Sequence, residues 1–197
     1  MKKLLITGDS LTNRITFYHL LFLMASLPFD RFYSHVILIS FALHLLINFR
    51  RNAAMPVFSF RNLILQSVFF VTAVSLIYST ELNNAYSELG RQVPILLFPI
   101  LFCLTSFDLK KYRPQLLLSF AWVCAATIVY LYIYALYLIR YYGMSYSAIF
   151  SHSFTNHNFS APIDMHATFF SMQIAIALVY VVSILITQRT NRKWYLV

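Results

Sequence analysis

The stretch "QLLLSFAWVCAATIVYLYIYALYLI", residues 115–139, runs for 25 residues without an Asp, Glu, Lys or Arg. A helix rises about 1.5 Å per residue, and roughly 17–25 apolar residues cross about 30 Å of hydrocarbon. Only helices and closed barrels satisfy their backbone groups in lipid, so a run of this length reads as a membrane-spanning helix. Five further apolar stretches join it, at 15–29, 33–49, 62–79, 92–107 and 165–187, and none shows the period-2 alternation of a barrel strand.

The whole composition agrees with that reading. Of 197 residues, 60% are hydrophobic and 11% charged, with a mean hydropathy of +0.69. Soluble domains carry about 45–50% apolar and about 25% charged residues, so this chain cannot cover a water-facing surface with polar groups. The expectation is an all-α, polytopic transmembrane bundle of six spans, forming a single transmembrane domain over residues 1–197. Pro94 and Pro99 interrupt the fourth span and should bend or tilt it, because proline lacks the amide donor and crowds the preceding turn.

Charge sets the orientation. A net charge of +9 would suggest nucleic acid in a soluble protein. Here the basic residues lie in short clusters between apolar runs, the pattern of the positive-inside rule, so the partner is the lipid bilayer and nucleic acid is not expected. One set of alternate loops holds Lys2, Lys3, Arg14, Arg50, Arg51, Arg61, Lys110, Lys111, Arg113, Arg189, Arg192 and Lys193, twelve of the fifteen basic residues. The other set holds only Arg31, Arg91 and Arg140. Both termini are therefore expected in the cytoplasm. The outer side also carries Asp30, Glu81, Glu88 and Asp164, and its longest connection is 140–164.

The opening "MKKLLITGDS" reads as a retained signal-anchor, because Gly8, Asp9 and Ser10 interrupt it before a cleavable leader's apolar core is complete. The closing "TQRTNRKWYLV" reads as a basic cluster followed by the first residues of another span, as in a truncated chain. Cys103 and Cys124 lie inside apolar runs without C-x-x-C spacing and read as packing residues. Three glycines could hardly build a Walker loop or a dinucleotide fingerprint, and no nucleotide or other cofactor is expected.

Candidate chemistry gathers on the outer side. In "FTNHNFSAPIDMHATFFSM" (154–172), Asp164 is placed to cap the sixth helix, with His166 in its first turn. Such an imidazole faces the positive end of the helix dipole and reads as a neutral side chain able to accept a proton, or simply as part of a capped start at the interface. His152 and His157 form an H-x₄-H pair in a Ser/Asn-rich loop, too few ligands for zinc, so no metal is expected. Arg91, Arg140 and Arg31 offer planar guanidinium forks suited to phosphate, although Arg91 can equally pair with Glu88 three residues earlier. Tyr130, Tyr134, Tyr137 and Tyr141 line one face of the fifth helix, as an interfacial belt or as the wall of a partly polar cleft.

Two of these stretches carry a resemblance. "ELGRQVPILLFPILF" (88–102) is similar to the Arg-containing, Leu-rich segment of the O-antigen ligase family, relatives of the O-antigen polymerases. "MHATFFSM" (165–172) is similar to that family's "HPTYFSL" helix start, with Ala167 and Phe169 standing where the family has Pro and Tyr. The likeness covers the family's N-terminal half; the large periplasmic loop that supplies further Arg and His residues is beyond this sequence. It implies metal-independent glycosyl transfer on the periplasmic face of the bacterial inner membrane. The donor would be a polysaccharide on undecaprenyl diphosphate, and the acceptor a hydroxyl on lipid A core or a similar glycan. It gives Arg91, and more weakly Arg140 and Arg31, to the diphosphate, and gives His166, Thr168, Asp164 and Tyr134 to shaping the cleft. Catalytic residues stay unassigned. Two other readings remain open: a polysaccharide transporter or flippase-like protein, and a non-catalytic membrane remnant.

Overall fold

The computed structural model describes residues 9–29, 31–48, 59–105 and 107–189. Among them every regular element is helical: α1 (Leu11–Ser26), α2 (Arg31–Ile47), α3 (Phe60–Ser75, extended by a 3₁₀ turn Leu76–Tyr78), α4 (Leu82–Leu104), α5 (Leu109–Tyr141) and α6 (Ala167–Arg189). Four stretches, Phe60–Tyr78, Leu82–Leu104, Leu109–Tyr141 and Ala167–Thr187, are long and apolar enough to cross a membrane, and Phe32–Ile47 is a shorter apolar helix. The chain is thus an all-helical, multi-pass membrane protein. Residues 1–8, Asp30, 49–58, Ser106 and 190–197 lie outside the described part, and with them Lys2, Lys3, Arg50, Arg51, Arg192 and Lys193.

Helix α3 displays the logic of a lipid solvent most openly. Its buried residues are Asn62 and Gln66, one turn apart, while Leu63, Ile64, Val68, Val71 and Val74 are exposed. Water would enforce the opposite arrangement; hydrocarbon rewards apolar contact everywhere and sends polar side chains to face protein.

The chain divides into two compact units, one built from the described residues of Ser10–Thr16 and Ser40–Phe107, the other from those of Met1–Asp9, Phe17–Ile39 and Asp108–Val197. In the first, α3 and α4 form an antiparallel hairpin stapled at both ends. Asn62 Nδ2 donates to Cys103 Sγ at 2.9 Å, and Thr72 Oγ1 donates to Gln92 Oε1 at 2.7 Å. Also in this unit, Thr12 Oγ1 donates to Asn48 Oδ1 at 3.3 Å, and Thr16 Oγ1 lies 3.3 Å from His44 Nε2.

Helix α4 starts ten residues earlier than the apolar run predicts, at Leu82 instead of 92. Hydropathy registers only the apolar part of a helix, whereas residues 82–91 are held by polar pairs at helical spacing. Arg91 Nη1 donates to Glu88 Oε2 at 3.2 Å, Gln92 Nε2 to Glu88 Oε1 at 3.3 Å and Asn84 Nδ2 to Glu81 Oε2 at 3.2 Å. Pro94 and Pro99 stay inside the helix.

In the second unit α5 and α6 run antiparallel. Tyr112, Leu116, Phe120, Cys124, Thr127, Leu131, Ala135 and Ile139 form a buried line along α5, one residue per turn as the 3.6-residue period requires. Phe120 and Cys124 pack with Ala177 of α6, and Met24 of α1 closes that cluster. Leu131 packs with Phe170 of α6 and with Ile163 of the intervening loop. Tyr180 Oη donates to the Pro114 carbonyl at 2.8 Å, and Gln173 Nε2 to the Leu27 carbonyl at 3.0 Å. At the head of α5, Asp108 caps the helix by accepting from the amides of Lys110 and Lys111. Beside it, Asp9 accepts hydrogen bonds from Tyr112 Oη and from Lys111 Nζ.

Candidate functional site

The loop between α5 and α6 is a built structure. Gly143, at φ +65°, ends α5 in a left-handed turn: its amide donates to the Arg140 carbonyl at 3.3 Å, and the Met144 amide donates to the Ile139 carbonyl at 2.9 Å. That pair of bonds is the Schellman closure, and it needs a residue without a Cβ penalty at this position. Four short 3₁₀ turns follow, Tyr146–Phe150, His152–Phe154, Asn156–Asn158 and Ala161–Ile163. Side chains tie them together: Asn158 Nδ2 donates to the His152 carbonyl at 2.9 Å, and Thr155 Oγ1 to the Ser151 carbonyl at 2.9 Å. Ile163 and Phe159 anchor the loop to α5 and α6 through the Leu131 cluster, with the Phe159 and Tyr132 rings 5.0 Å apart.

Asp164 does not cap α6. It occupies a left-handed conformation, φ 51° and ψ 36°, as the last residue of the Ala161–Ile163 turn, and its side chain is exposed. The cap is His166 itself. Its Nδ1 accepts from the Thr168 amide at 3.3 Å, and its carbonyl accepts from the Phe170 amide at 3.1 Å. A short polar side chain tolerates the left-handed region, so Asp164 absorbs the turn and hands the capping position on by two residues. With Nδ1 accepting, the neutral ring carries its proton on Nε2. The ring lies 5.0 Å from that of His157 and 5.8 Å from that of Phe169.

Between this loop and the first turns of α6 lies a cleft of about 620 Å³. Its aromatic wall comes from Tyr132, Phe150, Phe154, Phe159 and Phe170, and its polar groups from His152, Thr155, His157, Ser160, Thr168 and Ser171. None of its lining residues is Asp, Glu, Lys or Arg. Ser160 is 1% exposed, and its Oγ has no hydrogen-bond partner among the described residues. A second hollow of about 410 Å³ shares Phe154 and Phe159 and includes Tyr134, Leu138, Ser153 and Asn158.

The expected site residues therefore disperse. Thr168 lines the cleft and His166 touches its His157 wall. Tyr134 is half-buried beside the smaller hollow, while Tyr130, Tyr137 and Tyr141 point outward. Arg140 is exposed in the last turn of α5, where a cation complements the helix dipole. Arg91 belongs to the other unit and forms an exposed ion pair with Glu88 at 3.2 Å. Arg31 opens α2, and its side chain lies outside the described part. Among the described residues no three His, Cys, Asp or Glu side chains gather as metal ligands. Tyr132, Phe159 and Ser160 line the cleft without being among the expected site residues. The alternation of Ser, His, Asn and Phe through 150–160 is the signal that could have found them, since a purely solvated loop has no use for three phenylalanines, Phe150, Phe154 and Phe159.

No family model, curated protein or solved structure matches this chain.

Proposed function

We propose that the chain crosses the bacterial inner membrane six times with both termini in the cytoplasm, and serves as the N-terminal part of an O-antigen ligase-like glycosyltransferase. Each of the six apolar stretches contains a helix. Those of α1 and α2, 16 and 17 residues long, span about 25 Å, which local thinning and snorkelling side chains accommodate.

One observation carries the catalytic reading. The stretch similar to the ligase family's helix start contributes Ala167, Thr168, Phe170 and Ser171 to the cleft wall. A concave, largely apolar wall with a few placed polar groups is the usual form of a small-molecule site. The glycan is carried on undecaprenyl diphosphate and passes to a hydroxyl of lipid A core or a comparable glycan. Arg91 offers the guanidinium for the diphosphate leaving group, where preorganised positive charge lowers the barrier. Its exposed pair with Glu88 is worth about 0–1 kcal/mol, so an incoming diphosphate displaces the carboxylate at little cost.

The test is glycan transfer in cells expressing the protein with Arg91→Ala. Transfer should fall about a hundredfold or more at equal protein level, as when one transition-state donor is removed. Undiminished transfer would take Arg91 out of the mechanism.

A further inference from the structure

We infer that the cleft between the 142–166 loop and α6 takes the uncharged, hydroxyl-rich part of a ligand, a sugar ring, and does not take a diphosphate. The inference rests on the glycan-handling reading above and narrows it. Two features of the cleft carry it, its charge and its hydrogen-bond supply.

The wall holds no Asp, Glu, Lys or Arg, so no permanent positive charge there offsets the desolvation of a polyanion, which is costly without a counter-charge. Two of the four serine and threonine hydroxyls on that wall, those of Thr155 and Ser171, have their protons engaged. Thr155 Oγ1 donates to the Ser151 carbonyl at 2.9 Å, and Ser171 Oγ donates to the Thr168 carbonyl at 2.8 Å. Each hydroxyl has one proton and two lone pairs, so these two present acceptors to the cleft. A phosphodiester oxygen, itself an acceptor, finds no partner in them; a sugar hydroxyl does.

Ser160 supplies the independent sign that a ligand is expected. Its side chain is almost completely buried and unpaired, a state that is costly and uncommon in native folds. An exchangeable partner arriving in the cleft would satisfy it. Phe150, Phe154, Phe159 and Tyr132 supply flat apolar faces for the apolar face of a pyranose.

The experiment uses the full chain in lipid nanodiscs, which avoids sugar-headed detergents, and saturation-transfer NMR with chitobiose, maltotriose and galactose as probes. At least one sugar should receive transfer, excess inorganic pyrophosphate should leave that signal unchanged, and Ser160→Ala should weaken binding about fivefold, the worth of one neutral hydrogen bond. Because Ser160→Ala removes an unpaired group, its thermal midpoint should equal or exceed that of the parent, which separates lost recognition from lost folding. Silence from all three sugars, displacement by pyrophosphate, or parental affinity in Ser160→Ala would each overturn the inference. Sugar binding in a protein whose Arg91→Ala form transfers glycan normally would leave the cleft assignment standing and remove the diphosphate role of Arg91.

Discussion

Replacing Gly143 and Gly90 by alanine, one at a time, should shift stability in opposite directions although neither new methyl group meets anything. A Cβ built on either glycine finds no atom within 4 Å, so both effects are purely conformational. At Gly143 the backbone sits at φ +65°, which costs an L-residue roughly 1–2 kcal/mol, while the stiffer unfolded chain returns about 0.4–1 kcal/mol. The net is about 1 kcal/mol of destabilisation. Gly90 lies in the interior of α4, where alanine gains roughly 0.5–1 kcal/mol over glycine. The two variants should therefore differ by about 2 kcal/mol, close to thirtyfold in the folding equilibrium. Unfolding in mixed micelles, followed by far-ultraviolet circular dichroism, measures both. Asparagine at position 143 should lose less than alanine, since it enters the left-handed region more readily. A neutral or stabilising Gly143→Ala would refute the Schellman closure of α5, and with it the direction in which the loop departs to form the cleft.

Three further outcomes follow from the same geometry. Hydrogen bonds from Tyr112 and then Lys111 hold the Asp9 carboxyl below the usual carboxylate range; its contribution is complete above the unfolded pKa of about 3.9 and fades as pH falls through the lower folded value. Asp9→Asn should flatten the acid limb of stability below about pH 4, and identical acid limbs in parent and variant would contradict the contact. Removing the His166 cap should speed hydrogen exchange at the Thr168 amide severalfold in His166→Ala, whereas His166→Asn, a strong capping residue, should restore protection; equal exchange in both variants would remove the capping role. Ile163→Ala withdraws the loop's buried anchor at a cost of about 2 kcal/mol or more, and should raise proteolytic nicking within 142–166 more than tenfold. An unchanged nicking rate would mean the loop is held elsewhere.

The helices were legible because long apolar runs leave a membrane chain little choice, and 115–139 announces α5 without help. The start of α4 was not, because Glu88, Arg91 and Gln92 stabilise helix through side-chain pairing that a hydropathy average subtracts. The Arg91–Glu88 pair itself was readable from its three-residue spacing. The cap of α6 was misassigned by two residues: Asp164 has the right chemistry, and only the left-handed turn forced on it by the preceding 3₁₀ turn hands the cap to His166. The cleft was half-visible, through His152, His157, His166 and Thr168. Its decisive member, Ser160, was hidden because burial of a loop serine depends on Ile163 and Phe159 docking against Leu131, about thirty residues earlier in α5.

The account's central claim is that the cleft loop lies on the periplasmic side, joined to spans that cross the membrane. With Cys103 and Cys124 replaced by alanine, single cysteines at the exposed positions Ser153 and Arg113 can be challenged in intact spheroplasts with a membrane-impermeant maleimide. The account predicts rapid labelling at position 153 and labelling at position 113 only after lysis. Labelling of 113 in intact spheroplasts with 153 protected would place the cleft in the cytoplasm and contradict it.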